Sequence, residues 1–200
     1  FSIVAYPFSW MEASYQYTDV NNALYSNIEA FSGKQTYKDK SFDLKFRLLR
    51  EQGLIPALAV GGTDVAGTGM FSSEYIVASK RFKNLDLSFG IAWGTMSSKT
   101  LKNPFTYIND SFASREKLSN TRGGEFSSDA FLSGRSSPFA GAELYIPNFN
   151  GARLKIEYDS TDYDEEGFPN GRSSFSFAFA PVRRADSKIN IVCTAQQNKW

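Results

Sequence analysis

There is no histidine in the 200 residues and a single cysteine, Cys193. The first absence removes the commonest zinc ligand, the Ser-His-Asp and Cys-His arrangements, and any histidine general base. The second excludes an internal disulfide and any multi-cysteine metal site. A third absence is a run of roughly 18 or more apolar residues, which a membrane-crossing helix requires. Nor is either sign of charge in excess: 22 Lys and Arg face 21 Asp and Glu, for a formal charge of +1. A general nucleic-acid binder would show a clustered basic surplus, so none is expected as a partner. No Pro-rich linker or internal repeat divides the chain, and residues 1–200 are read as one unit. It begins at Phe1 without Met or signal peptide, as expected of a processed chain or a segment of something longer.

What is plentiful is aromatic. Eighteen Phe and ten Tyr stand in a chain that is only 42% hydrophobic. That combination fits strands that alternate apolar and polar side chains, as in a transmembrane barrel. Phe42, Leu44, Phe46 and Leu48 share one face, and Asp43, Lys45 and Arg47 the other. Side chains repeating every second residue make this a strand. Leu85, Leu87, Phe89, Ile91 and Trp93 alternate with Asp86, Ser88, Gly90 and Ala92. Leu154, Ile156 and Tyr158 alternate with Arg153, Lys155, Glu157 and Asp159. Phe175, Phe177 and Phe179 alternate with Ser174, Ser176 and Ala178. Weaker alternation runs through 11–17 and 140–146, the latter placing Glu143 on the polar side. Stretches 54–62, 71–81 and 187–194 are β-like, and Pro7 interrupts 2–9. The expectation is about ten antiparallel strands.

Alternation alone also suits a soluble sandwich with one wet face. The connections favour a barrel. Long loops are expected at 18–40, 97–136 and 160–171, with an intermediate one at 62–70; they alternate with short turns near 50–53, 82–84, 147–151 and 181–186. Outer-membrane barrels place tight periplasmic turns on one rim and long loops on the other. The fold class expected is therefore an all-β, antiparallel outer-membrane barrel or part of one. Phe42, Leu44, Phe46, Leu87, Phe89, Phe175 and Phe177 would face lipid. Asp43, Lys45, Arg47, Glu143, Arg153, Lys155 and Glu157 would face the lumen, where they either line a wet passage or pair across strands to hold the wall. Unpaired edges are costly in lipid, so further strands are expected from the parent protein.

Other motifs read blandly. Gly61, Gly62, Gly67 and Gly69 lack the Gly-Lys-Ser/Thr ending of a phosphate loop and suit a turn. The acidic run Asp159, Asp162, Asp164, Glu165, Glu166 could hold calcium, but lacks the hand-loop pattern and equally suits a solvated loop. Its carboxylates could in principle form a glycosidase pair, but no separation can be read from sequence. Lys99, Lys102, Arg115, Lys117, Arg122 and Arg135 punctuate the longest loop, which is expected to be solvated or to touch an anionic glycan.

Several blocks carry a resemblance. Ser41-Phe-Asp-Leu-Lys-Phe-Arg-Leu-Leu-Arg50, Pro56-Ala-Leu-Ala-Val-Gly-Gly-Thr-Asp64 and, most specifically, Gly67-Thr-Gly-Met-Phe-Ser-Ser-Glu-Tyr-Ile-Val-Ala-Ser-Lys-Arg-Phe82 resemble the YjbH/GfcD family of exopolysaccharide and capsule proteins. Phe89-Gly-Ile-Ala-Trp-Gly94 and Leu154-Lys-Ile-Glu-Tyr-Asp159 continue the likeness, which covers about residues 5–180. The resemblance implies a Gram-negative outer-membrane protein, longer than this chain, serving polysaccharide export or assembly. It brings no catalytic motif and no cofactor, and the tail after Arg184 matches nothing in it. Three roles follow as expectations: a non-enzymatic barrel that passes polysaccharide, a structural barrel that anchors periplasmic export proteins, and a secreted carbohydrate-binding or carbohydrate-cleaving β-domain.

Overall fold

The computed structural model describes residues 1–26, 28–115, 130–149, 151–162, 172–180 and 191–195. Ten strands follow one another in a single antiparallel sheet, each paired with its sequence neighbour. They are β1 (Ser2–Phe8), β2 (Met11–Leu24), β3 (Thr36–Leu49), β4 (Ala57–Thr63), β5 (Ser73–Phe82), β6 (Leu85–Gly94), β7 (Ser137–Ile146), β8 (Ala152–Asp162), β9 (Arg172–Ala180) and β10 (Ile191–Ala195). Among the described residues the sheet is open: β1 pairs only with β2, and β10 only with β9. No second sheet covers either face among the described residues, so the sandwich alternative has no second layer here. No described helix is long and apolar enough to cross a membrane, which says nothing of crossing by strands.

The doubtful first strand forms despite Pro7. It lies at the sheet edge, where a missing N–H costs no ladder bond, and its register slips between Ala5 and Phe8. The expected loop 18–40 is corrected. β2 and β3 run for 14 residues each and stay paired through Tyr17↔Lys40, Asp19↔Lys38 and Val20↔Tyr37. Polar residues fall on both faces there, which hides the alternation. The ladder is held instead by opposite charges, Lys38 pairing with Asp19. Only 25–35 remains as a connection, with one short helix, α1 (Glu29–Ser32). β8 likewise reaches Asp162, into the loop expected from 160.

The glycine cluster is corrected in part. Gly67 and Gly69 sit in the connection after β4, but Gly61 and Gly62 are within the strand. A Cβ on Gly61 would stand 2.5 Å from the Tyr75 ring, and one on Gly90 would stand 2.2 Å from that of Phe139. Glycine is used here so that a neighbouring strand's aromatic ring can lie across the backbone.

Candidate functional site

Register divides the sheet into two chemically opposite faces. On the apolar face Phe42 pairs beside Tyr15, Leu44 lies between Ala13 and Gly62, and Phe46 lies between Met11 and Val60. Further along, Leu87 lies between Lys80 and Ala142, and Phe89 between Ala78 and Ala140. Phe177 pairs with Ile156; the side chain of Phe175 lies outside the described residues. Phe42, Phe89 and Phe177 are 48%, 57% and 47% exposed, large apolar side chains with no covering layer among the described residues.

Aromatic rings gather toward the ends of this face. At the tight-turn end, Trp10 stacks on Phe8 at 5.1 Å and on Phe46 at 6.1 Å, Phe149 meets Phe179 at 6.4 Å, and Phe82 is exposed. Further toward the long loops, Phe1, Tyr15, Tyr17 and Phe42 form a second group, with Tyr15 and Phe42 4.9 Å apart. Sequence reading missed this banding. The signal available was the placement of Trp10, Phe82 and Phe149 beside turns.

The polar face carries Asp43, Lys45, Arg47, Arg81, Asp86, Glu143, Arg153, Lys155 and Glu157, whereas Glu74 and Lys80 lie on the apolar one. Asp43 is held rather than free: it accepts from Ser14 Oγ at 2.8 Å, Ser41 Oγ at 2.6 Å and the Asp64 amide at 3.0 Å. Arg81, Asp86, Glu143 and Lys155 fall in one row across four strands. Arg81 grips Asp86 with two contacts of 2.6 Å, and Glu143 receives Arg153 at 2.8 Å and Lys155 at 3.2 Å. Each of the adjacent carboxylates Asp86 and Glu143 is thus balanced by cations on its outer side. Glu157 lies exposed one row on, opposite Gly141 and Ser176. Arg47 donates to the Ser9 carbonyl. Lys45 sits across from Glu12, yet has no hydrogen bond or ion pair among the described residues.

The long connection after β6 is corrected from a simply solvated loop. Its described parts fold back onto the end of the sheet. Trp93, aligned with the apolar series, is 1% exposed because Phe105 stacks on it at 5.7 Å, with Phe112 behind. Arg115 forms a two-pronged pair with Glu74, at 2.6 and 2.9 Å, and donates to the Ala130 carbonyl; the Leu132 amide also donates to Glu74. Asn103 caps the turn at Pro104–Tyr107 through the Phe105 amide and donates to the Phe112 and Leu132 carbonyls. Arg135 donates to the carbonyls of Lys99 and Thr100. Lys117 and Arg122 lie outside the described residues.

The connection 64–72 holds a buried carboxyl that sequence reading did not single out. Asp64, with φ of 52°, accepts from the Phe71 amide, but its Oδ1 is buried without a hydrogen-bond partner among the described residues. Burial, then the neighbouring charge of Asp39, push its pKa up to about 7, against the pull of backbone amides. No group of three or more His, Cys, Asp or Glu able to hold a metal occurs among the described residues. Of the acidic run, Asp164, Glu165 and Glu166 lie outside them.

Comparison with known proteins follows the same lines. No solved structure matches. The uncharacterized lipoprotein YjbH of Escherichia coli (strain K12) is 41% identical over 194 residues, covering 96% of this chain but only 26% of its own length. A family model described as exopolysaccharide biosynthesis protein YbjH matches residues 1–200. The chain belongs to the YjbH family of exopolysaccharide biosynthesis proteins.

Proposed function

We propose that this chain is part of the wall of an outer-membrane β-barrel whose polar face lines a passage for exopolysaccharide. One observation carries the reading: a single ten-stranded sheet exposes a broad apolar face with aromatics toward both ends, opposite a face rich in charge. Lipid is the solvent that suits the first face, and hydrated glycan suits the second. The open edges at β1 and β10 would be costly in hydrocarbon, and further strands of a longer chain would complete the wall. No bond chemistry is required of such a protein; charge and hydration along the lumen do the work.

A second reading is a structural barrel that anchors periplasmic export proteins without conducting glycan. The cross-strand row Arg81, Asp86, Glu143, Lys155 favours it locally, since these charges are already satisfied by one another. Cell fractionation tests the shared part: the full-length protein should remain with the outer membrane and need detergent for extraction. Glycan flux through the reconstituted full-length protein then separates the two readings. Recovery in the soluble periplasm would overturn both.

A further inference from the structure

Near the tight-turn end lies a hollow of about 340 Å³ whose lining includes Tyr6, Glu12, Lys45, Arg47, Ala59 and Val77, with Phe8, Trp10 and Met11 of the β1–β2 turn beside them. Tyr6, on the edge strand β1, is 72% exposed. Among the described residues Lys45, across from Glu12, makes no hydrogen bond or ion pair, and Arg47 spends one guanidinium nitrogen on the Ser9 carbonyl and has no ion pair. This sets the hollow apart from the row around Glu143, where cations are matched with carboxylates. Two unmatched cations beside one carboxylate and an open aromatic ring form a recognisable combination. The cations suit an acid group, Glu12 can accept from hydroxyls, and the ring can cover the apolar face of a pyranose.

We propose that this hollow is a binding subsite for an acidic sugar unit, such as a uronate, at the end of the passage where the turns are tight. The assignment rests on the export reading above, and places the subsite where a polymer would enter from the periplasmic side. A site of this kind holds each unit weakly and in succession, so the polymer is captured without being trapped.

The test uses the full-length protein in detergent, titrated with hexagalacturonate and, separately, with uncharged maltohexaose. Hexagalacturonate should bind more tightly than maltohexaose, and its affinity should fall with added salt. Lys45→Gln with Arg47→Gln should weaken hexagalacturonate binding about tenfold or more, as expected for loss of charge-assisted contacts worth ~1.4 kcal/mol together. Tyr6→Ala should weaken both sugars. Lys34→Gln, an exposed cation in the connection at the opposite end of the sheet, should leave binding unchanged. Folded amount is followed by near-ultraviolet circular dichroism. Equal affinity for the two sugars, or unchanged binding by folded Lys45→Gln/Arg47→Gln protein, would overturn the subsite. If that double variant misfolds, Tyr6→Ala decides: undiminished binding by folded Tyr6→Ala protein counts against the subsite. Outer-membrane fractionation is scored separately, so a soluble protein would sink the barrel reading whatever the sugars do.

Discussion

At the scale of single residues, the informative side chains are those whose surroundings contradict their chemistry. Asp64 is a carboxyl held with one oxygen buried and without a hydrogen-bond partner among the described residues, its pKa raised from 3.8 to about 7. The folded state therefore binds a proton more tightly than the unfolded chain. Its contribution is fully present below pH 3.8, declines as pH rises, and is lost above about pH 7. Asp64→Asn keeps the shape, tolerates the positive φ and carries no charge. It should flatten the stability profile between pH 4 and 8 and raise stability at pH 8 by roughly 1–4 kcal/mol, read from denaturant melts across that range. Glu74 presents the opposite case. Its side chain is 5% exposed and paired with Arg115, itself 18% exposed. Glu74→Gln strands a largely buried guanidinium and should cost roughly 3–5 kcal/mol. Faster hydrogen exchange in residues 97–115 would report the loop lifting; unchanged exchange would mean the clamp is redundant.

At the scale of elements, the two faces of one strand should respond differently to the same substitution. Leu87 and Phe89 lie on the exposed apolar face of β6, and Ser88 on the other, bonded to Ser79 at 2.8 Å. On the proposed barrel reading, Leu87→Arg or Phe89→Arg should destabilise the protein by roughly 2–4 kcal/mol at a position near the bilayer midplane. Ser88→Arg should cost much less, and equal losses at neighbouring positions would dismiss the inside–outside assignment. Glu143→Gln should matter less still, under about 1 kcal/mol, because Arg153 and Lys155 are half exposed and their ion pairs are screened by water. Such charge rows fix register more than they add stability.

At the scale of the molecule, the connections set a direction. The turns after β1, β3, β5 and β7 leave from one end of the sheet, and the connections after β2, β4 and β6 from the other. With Cys193 replaced by Ser, cysteines at Ile28 and Tyr107 should react with a membrane-impermeant reagent on intact cells. Cysteines at Gln52 and Asn148 should react only after the outer membrane is opened. Uniform labelling of all four would remove the case for two rims on opposite sides of a bilayer.

The strands were legible in the sequence wherever one face is apolar and the other polar, because a period of two is a local property of an extended backbone. That is why 42–48, 85–93 and 152–158 could be read directly, and with them the division of Lys45, Arg47 and Lys155 from Phe42, Phe46 and Leu87. The family likeness was equally local, carried by contiguous blocks such as 67–82. What the sequence could not determine depends on partners distant along the chain. The outer halves of β2 and β3 needed each other, since Asp19 and Lys38 reveal a strand only when paired. Arg115 looked like one more solvated loop cation until the fold set it 41 positions back against Glu74. Lys45 and Lys155 were indistinguishable as inward charges. Only the tertiary structure decided that one is matched by a carboxylate on the next strand and the other is left open beside a hollow, because pairing depends on side-chain placement across strands, which alternation along one strand does not encode.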